Sequence, residues 1–506
     1  MEQLIVVDIG TTGTKVAVIE SSGSILDWGY TGYGTQSKGN FVEQNPDDWW
    51  EAVRKELRCI GPRVDKGKLR GIILSGQMQD LIPLGKKGVL GPAVLYSDTR
   101  ATAEIGEIES TIGRNRLKSI TGTLQDASSL LAKLLWLKKN NRKIYDDIVT
   151  VLLGAHDYVA WKMTGSRNAD YTTASTTGLL DISRNQWAVE LLSAIGLRED
   201  WLPSLVRADH LDGQLSAEAA ADLGVPEGIP VFHGSGDAGT ATVGAGAGEP
   251  GPTYCYLGTS GWVAASSLHT MADPETGIYN LRHPDPARFI QAGPMALAGG
   301  TLDWALKEIS PFSSESDAYA LITRVASEAK AGSGGVVFLP HLSGERAPFK
   351  DPDERGGFVG ISSETTRADL YRAVFEGVTF AMRSIRETMG SVYAAGKPLT
   401  LVGGGARSDL WPQIFADVFG CEVLVLENPE NVGLMGSLVI CGRALRWFTS
   451  YELPPNILRI KNRFLPDRAL RQRYEELYSI FKELYPRLRD SYSRLALWRE
   501  KKGSPV

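Results

Sequence analysis

Residues 5–20 read IVVDIGTTGTKVAVIE. Two apolar runs flank Gly10, Thr11, Thr12 and Gly13, the pattern of two antiparallel strands joined by a tight turn. An acid, Asp8, stands at the end of the first strand. A near copy, YCYLGTSGWVAAS, occupies 254–266 and puts Gly258 and Thr259 where Gly10 and Thr11 stand. The copy lacks the acid, because Tyr256 falls where Asp8 would. One such hairpin is an ordinary β-turn. Two of them, half a chain apart, read as an internal duplication at the scale of a domain.

Length agrees with that reading. At 506 residues the chain is too long for one core, and two domains of roughly 200–250 residues are expected. The stretches around each hairpin alternate strands with helices, so the fold class expected is α/β. Asn45, Pro46, Asp47 and Asp48 spell a helix start, with Trp49, Val53 and Leu57 on one face of that helix. A long amphipathic helix is expected over about 367–389, carrying Leu370, Val374, Val378, Ala381 and Ile385. The tail from Pro466 reads as a charged packing helix with a stripe of Tyr474, Tyr478, Phe481 and Tyr485, kinked at Pro486. The Gly/Pro-rich stretch 244–252 is the expected boundary. It gives domains at 1–248 and 249–450 and a helical extension at 451–506, packing on the second domain.

Composition excludes several classes. A net charge of −5 offers no basic surface for nucleic acid or an anionic membrane. No long uncharged apolar run is present, so no membrane span is expected. Cys59, Cys255, Cys421 and Cys441 form no CxxC pair, and the six histidines form no HxH or HExxH. Neither a disulfide framework nor a zinc site is expected, and reduced thiols fit a cytoplasmic protein. His233 is read as a hydrogen-bonded core residue, Trp262 and Trp304 as packing, and Arg346 as structural.

The hairpins suggest the chemistry. Glycine turns gather backbone N–H groups into a concave set of donors for anionic oxygens, and threonine hydroxyls add more. Two hairpins facing one cleft would hold a polyphosphate from both sides. A carboxylate beside a polyphosphate repels it unless a divalent cation lies between them, so Asp8 is expected to hold Mg²⁺. A second acid at 256 would add charge with nothing to offset it. In HGSGDAGTA (233–241), Asp237 follows an apolar strand in a Gly-rich turn. Transfer of a phosphoryl group to an alcohol needs a group that accepts the hydroxyl proton, and a turn-held, ionised Asp237 suits that role. An acid that merely caps its turn is the other reading of that residue.

Six segments carry a family pattern: DIGTTGTK (8–15), GQM (76–78), GSGDAGTATVG (234–244), LGTSG (257–261), LSGER (342–346) and GGGARS (403–408). A seventh runs through Gly356, Phe358, Gly360, Ile361, Asp369, Leu370, Ala373, Val374, Phe375 and Glu376. Over residues 4–445 the chain resembles the FGGY family of carbohydrate kinases, within the actin/hexokinase/Hsp70-like ATPases, and is most similar to its xylulokinase branch. The resemblance implies two ribonuclease-H-like domains flanking a deep cleft, with ATP mainly on the second and sugar mainly on the first. It implies Asp237 as catalytic base and metal neighbour, and Asp8 as the acid that holds Mg²⁺. Thr11, Thr12, Gly13, Thr14 and Lys15 match the first phosphate hairpin, and Gly258 and Thr259 the second. Gly299, Gly300 and Asp303 match a nucleotide-lining helix start, and Gly404, Gly405 and Ala406 the adenosine loop. Gln77, Met78, Gln79, Tyr96 and Asp98, with Asp237, match the region that binds the acceptor.

The expected activity is ATP-dependent phosphorylation of a pentulose or related sugar; ribulose, erythritol and glycerol remain open as acceptors. A homodimer also stays open. A nucleotide-gated assembly protein of the same superfamily is the rival class. The departures from the xylulokinase pattern all lie on the acceptor side. Gln79 stands where that branch carries His, Tyr96 where it carries Trp, and Ala238 where it carries Asn.

Overall fold

The opening hairpin becomes strands β1 (Gln3–Ile9) and β2 (Gly13–Glu20), with Asp8 facing Lys15 across the pair. On its outer side β3 (Ile25–Gly32) adds antiparallel. On its inner side β4 (Leu69–Gly76) runs parallel to β1. An edge strand, β5 (Leu211–Gln214), pairs antiparallel with β6 (Pro230–Gly236), which lies parallel to β4. The sheet order is therefore β5-β6-β4-β1-β2-β3. The structure is a computed structural model and describes residues 1–270, 273–311, 317–390 and 397–502.

The second hairpin starts the same plan again. β7 (Thr253–Leu257) and β8 (Gly261–Ser267) form it, β9 (Tyr279–Arg282) and β10 (Phe289–Met295) add antiparallel beside β8, and β11 (Leu399–Val402) and β12 (Val423–Leu426) run parallel beyond β7. A last strand, β13 (Ile460–Phe464), closes the edge antiparallel to β12. The order is β9-β10-β8-β7-β11-β12-β13. In both sheets a hairpin carries an antiparallel strand on one flank and two parallel strands on the other. The fold is α/β, built of two ribonuclease-H-like halves of the actin-like ATPase kind with a cleft between them. The central strands are covered on both faces, which is why β1 and β4 read as continuous apolar runs rather than alternating ones.

Helix α1 (Pro46–Ile60) begins as its punctuation dictates: Asp47 donates its N–H to Asn45 Oδ1 at 3.3 Å, and Trp49, Val53 and Leu57 are buried against the first sheet. Helix α2 (Ala155–Thr164) packs behind β6, and α3 (Asp237–Thr242) leaves the end of that strand. In the second half α4 (Gly299–Glu308) follows β10. Helix α5 (Arg367–Thr388) starts in a reciprocal cap between Thr366 and Asp369. Helix α6 (Val432–Ala444) returns to the first half and crosses α3. The crossing is backbone on backbone. A Cβ on Gly244 would stand 1.7 Å from the Val432 carbonyl oxygen, and one on Gly436 1.8 Å from that of Thr240.

The C-terminal helix α7 (Arg471–Lys502) buries Tyr474, Tyr478 and Phe481 against the second half and stacks Tyr485 on Phe349 at 3.7 Å. It continues through Pro486 as one helix. The four cysteines are free thiols, and among the described residues no helix is long and apolar enough to cross a membrane.

Candidate active site

Asp8 and Asp237 meet where the two halves join. Asp8 is the penultimate residue of β1, and its carboxyl faces Gly433 of α6, whose Cβ would lie 3.3 Å from Asp8 Oδ2. Burial raises the Asp8 carboxyl above its usual range, against the opposing pull of Ser75, Lys15 and His156. Asp237 is the first residue of α3 and opens its carboxyl into the cleft. Desolvation by the surrounding walls, and then the charge of Asp8, push it up to about 7. This departs from the sequence expectation of a fully ionised turn acid. The Ala238 N–H does favour the charge, but the walls and the second carboxylate outweigh it. Beneath the pair, Ser75 Oγ and Thr240 Oγ1 lie 2.9 Å apart and tie β4 to α3.

Asp237 borders a cavity of about 180 Å³ between the halves. Gln77, Met78, Gln79 and Tyr96 line it from the first half, and Trp262, Tyr279 and Arg346 from the second. The turn at 76–80 is held from outside. Gln77 donates to Gln44 Oε1 at 3.0 Å, and Gln44 in turn donates to the Thr11 carbonyl at 2.7 Å, coupling this turn to the first hairpin. Gln79 adopts a left-handed backbone (φ 66) and donates to the Ser128 carbonyl at 3.2 Å. A non-glycine residue in that region is strained, and such strain gathers at functional sites.

Asp98 does not line this cavity. Its carboxylate is fully buried, accepts from the Val42 N–H at 2.6 Å and is gripped by the Arg100 guanidinium at 2.7 Å. It holds the loop in place beneath the site. Two buried residues that the sequence did not single out do the same for Tyr96. Asp80 Oδ1 accepts its N–H at 3.1 Å, and Lys133 donates to the neighbouring Leu95 carbonyl at 2.6 Å. Burial raises the Asp80 carboxyl and lowers the Lys133 ammonium to about 8. Trp262 and Arg346, expected as packing and structure, face the cavity. Trp262 also stacks on Tyr256 at 4.0 Å, so the place that corresponds to Asp8 in the duplication holds a ring pair rather than a carboxylate.

A larger groove of about 840 Å³ opens on the second half. Gly258, Thr259, Gly299, Asp303, Gly404 and Gly405 all line it. The hairpin and α4 are fastened together, since Gly299 and Gly300 donate to the Gly258 and Thr259 carbonyls at 2.7 and 2.9 Å. Ala406 is buried beneath the groove. In the first hairpin Thr11 and Thr12 keep accessible side chains, while Thr14 is buried with its hydroxyl on Tyr33 at 3.4 Å. Gly13 leaves no room for a Cβ, which would stand 2.4 Å from Tyr30 Oη. Lys15 spans the junction, 2.8 Å from Asn431 Oδ1 in the second half.

His233 is buried, as expected, with Nδ1 2.8 Å from Asp212 Oδ2. The histidines are less scattered in space than in sequence, however. His156 and His233 are neighbours, their ring centroids 5.5 Å apart.

Residues 3–244 match the N-terminal domain of the FGGY family of carbohydrate kinases, and residues 253–445 its C-terminal domain. The xylulose kinase of Bacillus subtilis (strain 168) is 28% identical over 99% of this chain and 100% of its own. That of Escherichia coli (strain K12) is 32% identical over 95% of this chain and 98% of its own. A crystal structure of a gluconate kinase from Lactobacillus acidophilus superposes with a TM-score of 0.91 at 24% identity, over 98% of this chain and 99% of that one. With both halves matched by the family along nearly their whole length, the chain belongs to the FGGY carbohydrate kinases, ATP-dependent phosphotransferases with an alcohol group as acceptor.

Proposed function

We propose that this kinase phosphorylates a hydroxyl of xylulose or a closely similar pentulose, in the cytoplasm, with Asp237 as the base. The observation that carries the reading is the position of Asp237. It stands between a small cavity fit for a sugar and the carboxyl of Asp8, with the larger groove on the second half for the nucleotide. The sugar hydroxyl donates its proton to Asp237 as its oxygen attacks the terminal phosphorus of ATP. A carboxyl held near 7 is well matched to that transfer, because base strength and availability are both high near neutral pH.

Asp8 and Asp237 supply oxygen donors only, and their charges oppose each other unless a cation stands between them, which fits Mg²⁺. When bound there it neutralises charge on the phosphates. The backbone donors of the hairpins at 10–13 and 258–261 orient the phosphate oxygens, and Gly404 and Gly405 let the nucleoside lie against bare backbone. The xylulose kinase names of the relatives support the choice of acceptor. Arg346 favours a second reading: a guanidinium lining the acceptor cavity suits the carboxylate of a sugar acid such as gluconate.

A panel of xylulose, ribulose, gluconate, erythritol and glycerol, followed by ADP release, tests both. Xylulose is expected to give the highest kcat/KM. A preference for gluconate that disappears in Arg346→Met selects the second reading, and ADP release unchanged by every acceptor overturns both.

A further inference from the structure

Behind the strand that delivers Asp237, four buried side chains converge. His156 and Asp157 lie in the first turn of α2, Asp170 ends the short strand Asn168–Asp170, and His233 sits in β6. All four are at most 1% exposed. One donor atom from each lies within 4.8 Å of the others. His156 Nε2 is 3.1 Å from Asp170 Oδ2 and 3.2 Å from Asp157 Oδ1, and His233 Nε2 is 3.2 Å from that same Asp157 oxygen.

The outward-facing atoms of three of the four are engaged, while His156 Nδ1 is buried with no hydrogen-bond partner. Asp157 Oδ2 accepts from the Leu153 and Gly154 N–H groups at 2.8 and 3.1 Å. Asp170 Oδ1 accepts from the Thr172 and Thr173 N–H groups and the Ser235 hydroxyl. His233 Nδ1 is fixed by Asp212, which is itself held by Asn168. A carboxylate behind a histidine, and hydrogen bonds behind each carboxylate, are what orient metal ligands. Of the inward atoms, His156 Nε2 and Asp170 Oδ2 share a hydrogen bond at 3.1 Å, but the other two do not. His233 Nε2 and Asp157 Oδ1 are buried with no hydrogen-bond partner, although they face each other. Charge-assisted hydrogen bonds would close such gaps to about 2.7–2.9 Å. Ligand bonds of about 2.0–2.1 Å in a tetrahedron hold neighbouring donors about 3.3–3.4 Å apart; three of the six separations are 3.1–3.2 Å, and the others lie within 4.8 Å.

We propose that His156, Asp157, Asp170 and His233 form a closed structural site for one divalent transition-metal ion, with zinc as the first candidate. Two imidazole nitrogens and two carboxylate oxygens suit that class of ion. Four protein ligands leave no position for substrate, so the ion does no chemistry on the sugar. It joins α2, the turn at 170–171 and β6, and so fixes the strand that places Asp237. Metal binding here is coupled to folding, because the ligands come from segments far apart in the chain.

The test uses the full chain carrying no polyhistidine tag. Elemental analysis of the purified protein is expected to find close to one transition-metal ion per chain, and cobalt-grown protein to show the visible absorption of four-coordinate Co²⁺. Asp170→Asn and His233→Gln are each expected to lose the ion. Since either variant risks failing to fold, the native chain is also unfolded and refolded with Zn²⁺ or with EDTA. A higher thermal midpoint in Zn²⁺ is expected. Equal midpoints, with no metal retained and His233 carrying protons on both ring nitrogens by NMR, overturn the proposal.

Discussion

Asp237 and Asp8, one from each end of the first half, share the floor of the cleft, and the charge of Asp8 helps to raise Asp237 to about 7. A base must be ionised to work. With the sugar as varied substrate, kcat/KM is therefore expected to fall about tenfold per pH unit below about 7. The same shift is a stability statement. The folded value lies above the ordinary 3.8, so the ionised carboxyl weakens the fold increasingly as pH rises from about 4 to about 7. Asp237→Asn is expected to abolish transfer yet unfold at a higher temperature than the native chain near pH 8, with the gap closing toward pH 4. A variant that unfolds no later than the native chain at both pH values would remove the shift.

Asp98 gives a different signature. Removing one partner of a buried ion pair costs about 3–5 kcal/mol. Asp98→Ala leaves the Val42 N–H without its acceptor and Arg100 with Glu43 alone, so a loss toward the lower end of that range is expected from denaturant unfolding. KM for the sugar should change little in the protein that remains folded. A large rise in KM at unchanged stability would return Asp98 to the acceptor site.

Gly436 has no room to grow. In Gly436→Ala the new methyl meets the Thr240 carbonyl, and the crossing of α6 over α3 must open. Overpacking of this kind costs about 1–3 kcal/mol. Because α3 begins with Asp237, kcat should drop by more than nucleotide affinity does. Thermal unfolding and ADP binding, measured on the same preparation, separate the two effects.

Gln79 is the acceptor-side departure with a visible local cause: it is pinned to Ser128 in a left-handed turn. Histidine tolerates that backbone region better than most residues. Gln79→His is expected to shift the xylulose-to-gluconate ratio of kcat/KM upward by about tenfold or more, since exchanged donors in a closed pocket discriminate strongly. An unchanged ratio, read from the acceptor panel, separates position 79 from sugar choice.

What could be read in the sequence was what is local. The Asn45 cap, the two glycine hairpins and the turn that presents Asp237 are each fixed within a few residues. Partners brought from elsewhere could not be read. Nothing near Asp98 points to Val42, although Arg100 two residues on is a signal that an ion pair was available. Arg346 and Trp262 become cavity walls only because the second half folds back over the turn at 76–80. The two histidines meet only because β6 runs alongside α2, which no spacing in the chain encodes.

The last strand has a consequence for synthesis. β13 covers the outer edge of β12, whose four residues, Val423–Leu426, are all apolar. Until residue 464 has left the ribosome, that edge is an open template for pairing with another chain. Once β13 is in place the new edge carries the exposed Lys461 and Arg463, which deter further strands. A chain ending shortly after α6 would keep both hairpins and every residue of the cleft named above, and would be expected to aggregate.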